Sequence, residues 1–230
     1  MRRVTTSAVH YTRGMSCCGS ACDAVAGHFN AAVAHAELDR YRRKGLDKRA
    51  RRLIETLVQR GVRGRSALDV GGGVGMLAFE LLKKGASRIV LADASSANLE
   101  AARDEATRAS LGDRIQFALG DFTAVAVAIE PADIVVLDRV VCCYPEWKPL
   151  LERASDRCLK ILALSYPKNR LDVRLSIAFE NLRRRWKGDP FRAYVHSPSQ
   201  MRGTLEAAGL RHICRRGTWS WRIDVYARPA

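Results

Sequence analysis

Residues 67–75 read Ala-Leu-Asp-Val-Gly-Gly-Gly-Val-Gly, and this stretch decides the fold. A short apolar run leads into a glycine turn, and helical spacing follows, so the stretch predicts a strand, a tight turn and a helix. Glycine lets the backbone turn sharply and approach a ligand without obstruction by a Cβ atom. The spacing is G-x-G-x-G, not the G-x-G-x-x-G of nicotinamide-binding turns, and the acid Asp69 stands two residues before it.

Short apolar runs and helical segments alternate on both sides of this turn. Strands are predicted at residues 66–70, 88–93, 115–119, 133–137 and 159–165. Helices are predicted from Asp47 to Gly61, at 75–84, 95–109 and 171–186, and from Ser197, and the last twenty residues favour an antiparallel strand pair. The pattern predicts an α/β fold: a Rossmann-like, doubly wound, mostly parallel seven-stranded sheet with N-terminal helices.

Length and composition set the outer bounds of the chain. The 230 residues, 47% of them hydrophobic, are enough for one domain, which we place at 23–230. Within it we expect a helical cap at about 23–61 and a core at about 62–230. Residues 1–22 are expected to form a flexible lead-in. Lys and Arg exceed Asp and Glu by 39 to 24, which favours an anionic partner. There is no signal-peptide core and no spanning apolar stretch.

The seven cysteines form an odd set with two adjacent pairs, unlike the framework of a secreted protein. We therefore expect a cytoplasmic protein. Cys17, Cys18 and Cys22 lack C-x2-C spacing, as do Cys142 and Cys143, so no metal site is predicted.

The acid followed by G-x-G-x-G resembles motif I of class I S-adenosylmethionine-dependent methyltransferases. This resemblance implies that Asp69, Gly71, Gly73 and Gly75 surround the methionyl part of the cofactor. It also implies that S-adenosylhomocysteine is the product.

Three later landmarks follow in the order that this family shows. Asp93, with Ala94 beside it, ends the second strand, where a carboxylate accepts hydrogen bonds from the ribose diol. Asp121 and Phe122 resemble the adenine-binding segment after the third strand. Asp138 ends the fourth strand and opens toward the transferred methyl group.

The segment after the fourth strand narrows the type of acceptor. Residues 138–145 read Asp-Arg-Val-Val-Cys-Cys-Tyr-Pro, which lacks the Pro-Pro-aromatic and Pro-Cys signatures of nucleic-acid-modifying enzymes. The segment and residues 28–30, His-Phe-Asn, resemble magnesium-protoporphyrin O-methyltransferases. That family has His where Cys143 stands and Tyr where His28 stands, so the porphyrin substrate is not inherited. A small-molecule acceptor, methylated on oxygen, is predicted, with an anionic acceptor as one option.

Methyl transfer requires an aligned and deprotonated acceptor. The candidate bases are His28, Asp138 and His196, with Tyr144 and Tyr166 as orienting hydroxyls. Two functional alternatives stay open: an RNA methyltransferase that uses the basic surface, and a non-catalytic protein that binds S-adenosylmethionine.

Two basic clusters have more than one interpretation. Residues 42–43 and 183–185 are arginines that either neutralise an anionic acceptor or form a solvated face. The helix predicted at 171–186 is expected to form a lid over the acceptor. Its apolar stripe and basic end are also compatible with contact with a membrane surface.

Overall fold

The structure is a computed structural model that describes residues 19–229. Its centre is a seven-stranded sheet in the order β3-β2-β1-β4-β5-β7-β6, in which β7 runs antiparallel to β5 and β6 and the other pairs are parallel. The strands are β1 Ser66–Val70, β2 Arg88–Asp93, β3 Ile115–Leu119, β4 Ala132–Asp138, β5 Cys158–Pro167, β6 Arg211–Gly217 and β7 Trp221–Ala227. The predicted fold class is confirmed.

Helices cover both faces of the sheet. They are α1 Gly19–His28, α2 Ala31–Lys44, α3 Lys48–Val58, α4 Met76–Lys83, α5 Ser96–Arg108, α6 Phe122–Val125, α7 Trp147–Asp156, α8 Leu171–Trp186 and α9 Pro198–Ala207. One apolar core lies between the sheet and α2 to α5, and a second lies on the opposite face, against α6, α7 and α9. The central strands are apolar on both faces because both are covered. No helix in this described part of the chain has the length and hydropathy needed to cross a membrane.

The N-terminal helices are fixed by caps and by contacts with the core. The side chains of Asn30 and Asp47 accept hydrogen bonds from the first turns of α2 and α3, as N-caps do. Leu53 and Leu57 of α3 are fully buried, and Arg42 of α2 pairs with Glu105 of α5. The cap is thereby held near the edge of the sheet where β1, β2 and β4 end.

Some boundaries differ from those expected. Residues 19–22, assigned to the lead-in, belong to α1, while residues 1–18 lie outside the described part. Helix α7 was not predicted; its Pro149 lies in the first turn, where a helix tolerates proline.

Candidate active site

A cavity of about 470 Å³ opens at the carboxyl ends of β1, β2 and β4, between the N-terminal cap and α8. Ligand sites of doubly wound sheets lie at this edge. Of the predicted site residues, those lining it are His28, Asp69, Gly71, Gly73, Asp93, Ala94, Phe122, Asp138 and Tyr144. Those that do not line it are Gly75, Asp121, Tyr166 and His196.

The glycine turn forms the floor of the cavity. The backbone N–H of Gly71 donates to the carbonyl of Ala92 over 2.7 Å, which ties the turn to β2. Gly71 has a φ of +60°, and a Cβ there would lie 2.6 Å from Val140. Gly73 also has a positive φ, but a Cβ there would approach nothing closer than Asn98, at 4.0 Å. Gly73 therefore leaves its space to the cavity.

Asp93 is held rigidly at the end of β2. Its carboxylate accepts hydrogen bonds from the N–H groups of Gly73 and Ser95, both at 2.8 Å, and from the Asn98 amide at 3.3 Å. Burial raises the pKa of Asp93, and these three donors oppose that rise. Three donors leave one of the four lone-pair positions of a carboxylate for a ligand hydroxyl.

Asp69 has no hydrogen-bond partner for either carboxylate oxygen among residues 19–229, although it is fully buried. Burial raises its pKa well above the usual range, and the charges of Asp138 and Asp93 add to the rise. Buried polar groups in proteins nearly always have a partner. An unpartnered buried carboxylate beside a glycine turn is suited to a cationic or hydrogen-bond-donating ligand group.

Asp138 lines the cavity but is already paired. Its Oδ1 accepts from the Arg49 guanidinium and from the Ser165 hydroxyl. Arg49 is itself buried and pairs with Asp47 over 3.0 Å. Oδ1 of Asp138 is therefore occupied by contacts within the protein.

The two candidate histidines have different surroundings. His28 lines the cavity, stacks on Phe191 with ring centroids 4.4 Å apart, and places Nδ1 2.7 Å from the Asp189 carboxylate. A carboxylate on Nδ1 favours the tautomer protonated there and leaves Nε2 as a base. Burial raises the pKa of Asp189, but hydrogen bonds from Phe191 and His28 bring it below its usual range.

His196 is not placed as a base. Its Nε2 donates to the carbonyls of Val141 and Tyr144, at 3.1 and 2.9 Å, and it does not line the cavity. Burial lowers its pKa, and these carbonyls oppose the change. His196 thus anchors the segment after β4, which no local sequence pattern indicates.

Asp121 and Tyr166 do not line the cavity, whereas Tyr144 does. Asp121 caps α6 and accepts from the Tyr144 hydroxyl over 3.0 Å, so its carboxylate holds a cavity residue instead of lining the cavity. Tyr166 donates to Asp224, away from the cavity. Phe122 therefore is the residue of this pair that the structure brings to the cavity.

The basic clusters separate in space. Arg42 pairs with Glu105 and Arg43 bonds the Asp39 carbonyl, and neither lines the cavity. From the second cluster only Arg184 lines it, and no carboxylate of the described residues forms an ion pair with Arg184. Arg139, missed by sequence reasoning, also lines it and pairs with Glu37 over 3.1 Å.

Cys142 and Cys143 line the cavity, and both sulfur atoms lie 3.3 Å from the Arg139 carbonyl. Within the part of the chain that is described, no three His, Cys, Asp or Glu side chains cluster as metal ligands. Cys17 and Cys18 lie outside that part, so the expectation for these cysteines stays a prediction.

The chain was compared with protein families and with curated protein sequences. Residues 67–163 match the family described as a methyltransferase domain. No curated protein sequence matches the chain. The family match runs from β1 into β5 and includes the glycine turn and the carboxyl ends of β1, β2 and β4.

Solved structures resemble most of the chain. Magnesium protoporphyrin IX methyltransferase from Synechocystis PCC 6803, with bound S-adenosylhomocysteine, is 21% identical over 89% of this chain and 98% of its own, with a TM-score of 0.67. An O-methyltransferase family protein from Burkholderia thailandensis is 17% identical over 86% of this chain and 60% of its own, with a TM-score of 0.68.

A putative RNA methyltransferase from Pyrococcus horikoshii is 14% identical over 79% of this chain and 83% of its own, with a TM-score of 0.55. At such identities the likeness shows the fold.

Proposed function

We propose that this chain, which carries a methyltransferase domain at residues 67–163, is an S-adenosylmethionine-dependent enzyme that methylates an oxygen of a small, anionic acceptor. The observation that carries the proposal is the pairing of an open glycine turn with a buried, unpartnered carboxylate in the lining of the same cavity. Fold alone would not suffice, because one fold hosts many functions.

The residues present fit this cofactor. S-adenosylmethionine has an ammonium and a sulfonium, both cationic, a ribose diol and an adenine ring. Asp69 supplies an unused buried carboxylate, and Asp93 retains one lone-pair position for a hydroxyl. Phe122 offers a ring to the adenine, and Gly73 leaves room for close approach.

Two further residues that line the same cavity, His28 and Arg184, support an acceptor site there. The bound cofactor supplies an activated methyl group, so the protein has to align the acceptor oxygen with it and keep that oxygen deprotonated. His28 lines the wall with Nε2 available as a base, held by Asp189. Arg184 brings a cationic group to the same cavity, which favours an anionic acceptor.

Calorimetric titration with S-adenosylmethionine and S-adenosylhomocysteine tests whether the protein binds this cofactor. Two glycine-to-alanine substitutions serve as the test variant and its matched control. Gly73→Ala places a methyl group in the cavity, whereas Gly64→Ala introduces the same positive-φ strain where no atom lies within 4 Å. Forcing a non-glycine residue into this conformation costs about 1–2 kcal/mol in both variants. We expect the affinity to fall about tenfold or more in Gly73→Ala only, because the added methyl group overlaps the space that the cofactor would fill.

Asp93→Ala should abolish measurable binding, because it removes the carboxylate that also positions Gly73. No binding by the wild type, or equal losses in the two glycine variants, would overturn the cofactor assignment. Binding without turnover across a panel of carboxylates, phenolates and other oxygen acceptors would leave a cofactor-binding protein and contradict the enzymatic part.

A further inference from the structure

Helix α8 has two faces with different environments. Ser176, Ile177, Glu180 and Arg184 line the cavity on its inner side. Its outer side carries an apolar stripe that other described residues do not cover, formed by Leu171, Leu175, Phe179, Leu182 and Trp186. Their exposed fractions run from 45% to 78%.

This stripe is continuous along the helix. Spacings of three and four residues place the five side chains on one side of an α-helix. Sixteen residues at 1.5 Å each make the helix about 24 Å long. An exposed apolar surface of this extent is uncommon on a protein without a partner and marks an interaction site.

The turn between β6 and β7 extends the surface at one end. Trp219 is 71% exposed there, and the Arg170 guanidinium lies 4.1 Å from the centre of its ring. The N–H of Lys168 donates to the Ser220 carbonyl over 2.8 Å, which ties the turn to the start of α8. An exposed tryptophan thus stands at each end of the stripe, Trp219 and Trp186.

The basic residues beside the stripe favour an anionic partner. Segment 168–187 contains seven Lys or Arg and two acids, Asp172 and Glu180, each paired with a neighbouring arginine. A second copy of this helix would bring like charges together, which disfavours self-association. Nucleic acid would match the charge, but its interfaces are polar and do not bury a row of leucines.

We propose that the outer face of α8, together with Trp219, docks on an anionic phospholipid surface. Leucine, phenylalanine and tryptophan on one side of a helix with arginines beside them are the features of a helix that lies in the membrane interface. Basic residues near the surface add attraction to anionic headgroups. Docking by this face leaves the cavity-lining side of α8 directed into the protein.

Vesicle flotation tests the proposal, with phosphatidylcholine alone and with about one third phosphatidylglycerol added. The stripe variant combines Leu175→Glu with Phe179→Glu. The control variant combines Val127→Glu with Leu159→Glu, which changes the charge equally at side chains 57% and 51% exposed elsewhere. We expect the wild type and the control to float with the anionic vesicles, and the stripe variant to lose about tenfold or more of this binding.

Three outcomes would overturn the proposal: a wild type that does not float, equal flotation of both variants, or stripe-dependent dimerisation or RNA binding in place of vesicle binding. Calorimetry with S-adenosylmethionine on the same variants separates this proposal from the proposed function. Substitutions on the outer face should leave cofactor affinity unchanged, and this also shows that both variants are folded.

Discussion

Two buried aspartates of the same sheet have opposite surroundings. Asp224 on β7 is 1% exposed, and its carboxylate accepts from the Tyr166 hydroxyl, from His212 over 2.8 Å and from Arg215 over 2.9 Å. Asp69 on β1 is 0% exposed and has no partner among the described residues. Burying a carboxylate is costly unless hydrogen bonds or a cation compensate it.

We infer that this difference separates a group that stabilises the fold from one that the proposed function uses for binding. Burial raises the pKa of Asp224, but its three donors bring it below the usual range. Asp69 has no such set of donors, and burial raises its pKa well above the usual range. Asp224 joins the antiparallel strands, while Asp69 lies at the edge where the cavity opens. A buried carboxylate without partners thus locates the binding site more sharply than a charge cluster does.

Asp224→Asn should cause the largest loss of stability. An amide is neutral, so its oxygen replaces the charge-assisted hydrogen bonds from Arg215 and His212 with weaker ones, while its NH2 group faces the Tyr166 hydroxyl. We expect the free energy of unfolding at neutral pH to fall by about 3 kcal/mol. Urea unfolding measures it, and an unchanged midpoint would show that the network contributes nothing.

Asp69→Asn should have the reverse profile: stability unchanged or higher, and affinity for S-adenosylmethionine reduced by about 2 kcal/mol, or roughly thirtyfold. The folded-state pKa of Asp69 is raised, so as pH rises above about 4 the unfolded chain ionises first and the wild type loses stability. The variant cannot ionise, so its advantage should grow with pH. Each aspartate variant is the control for the other. If both variants lost stability and affinity to the same extent, the contrast between Asp224 and Asp69 would be wrong.

Local sequence patterns predict the part of the site that lies at strand ends. Gly73, Asp93 and Phe122 each follow a short apolar run, and parallel topology brings such positions to one edge. The partner of His28 is Asp189, 161 residues away, and no periodicity links them. His196 is a candidate base that the predicted architecture can bring near the methyl group, and only the fold shows the two carbonyls that its Nε2 contacts.

The unpaired state of Asp69 could not be predicted either. The acid before the glycine turn is visible in the sequence, but its lack of a donor depends on every neighbour that packs against β1. The pairing of Arg49 with Asp138 is likewise a contact between α3 and the end of β4. Such facts concern side-chain directions and burial, which residue spacing does not contain.

Glu105 lies between Asp224 and Asp69 in its surroundings, and its substitution should have the smallest effect on stability. Its side chain is 4% exposed, but its partners Arg42 and Arg108 are 39% and 60% exposed, and they join α2 to α5. The Arg108 hydrogen bond, opposed by burial and reinforced by Arg42, lowers the pKa of Glu105 to about 2. Because solvent screens these arginines, we expect Glu105→Gln to cost about 1 kcal/mol of unfolding free energy at neutral pH.

The pH dependence of that cost distinguishes it from a packing effect. A depressed pKa gives stability that is present above the unfolded value, about 4.3, and is lost as pH falls toward 2. The difference between the wild type and Glu105→Gln should therefore shrink over this interval, measured by urea unfolding at each pH. Glu100→Gln, at an exposed position of the same helix, is the control and should stay close to the wild type throughout. A difference that persists at low pH would mean that Glu105 acts through packing, and that solvated partners do not compensate a buried carboxylate as the donors around Asp224 do.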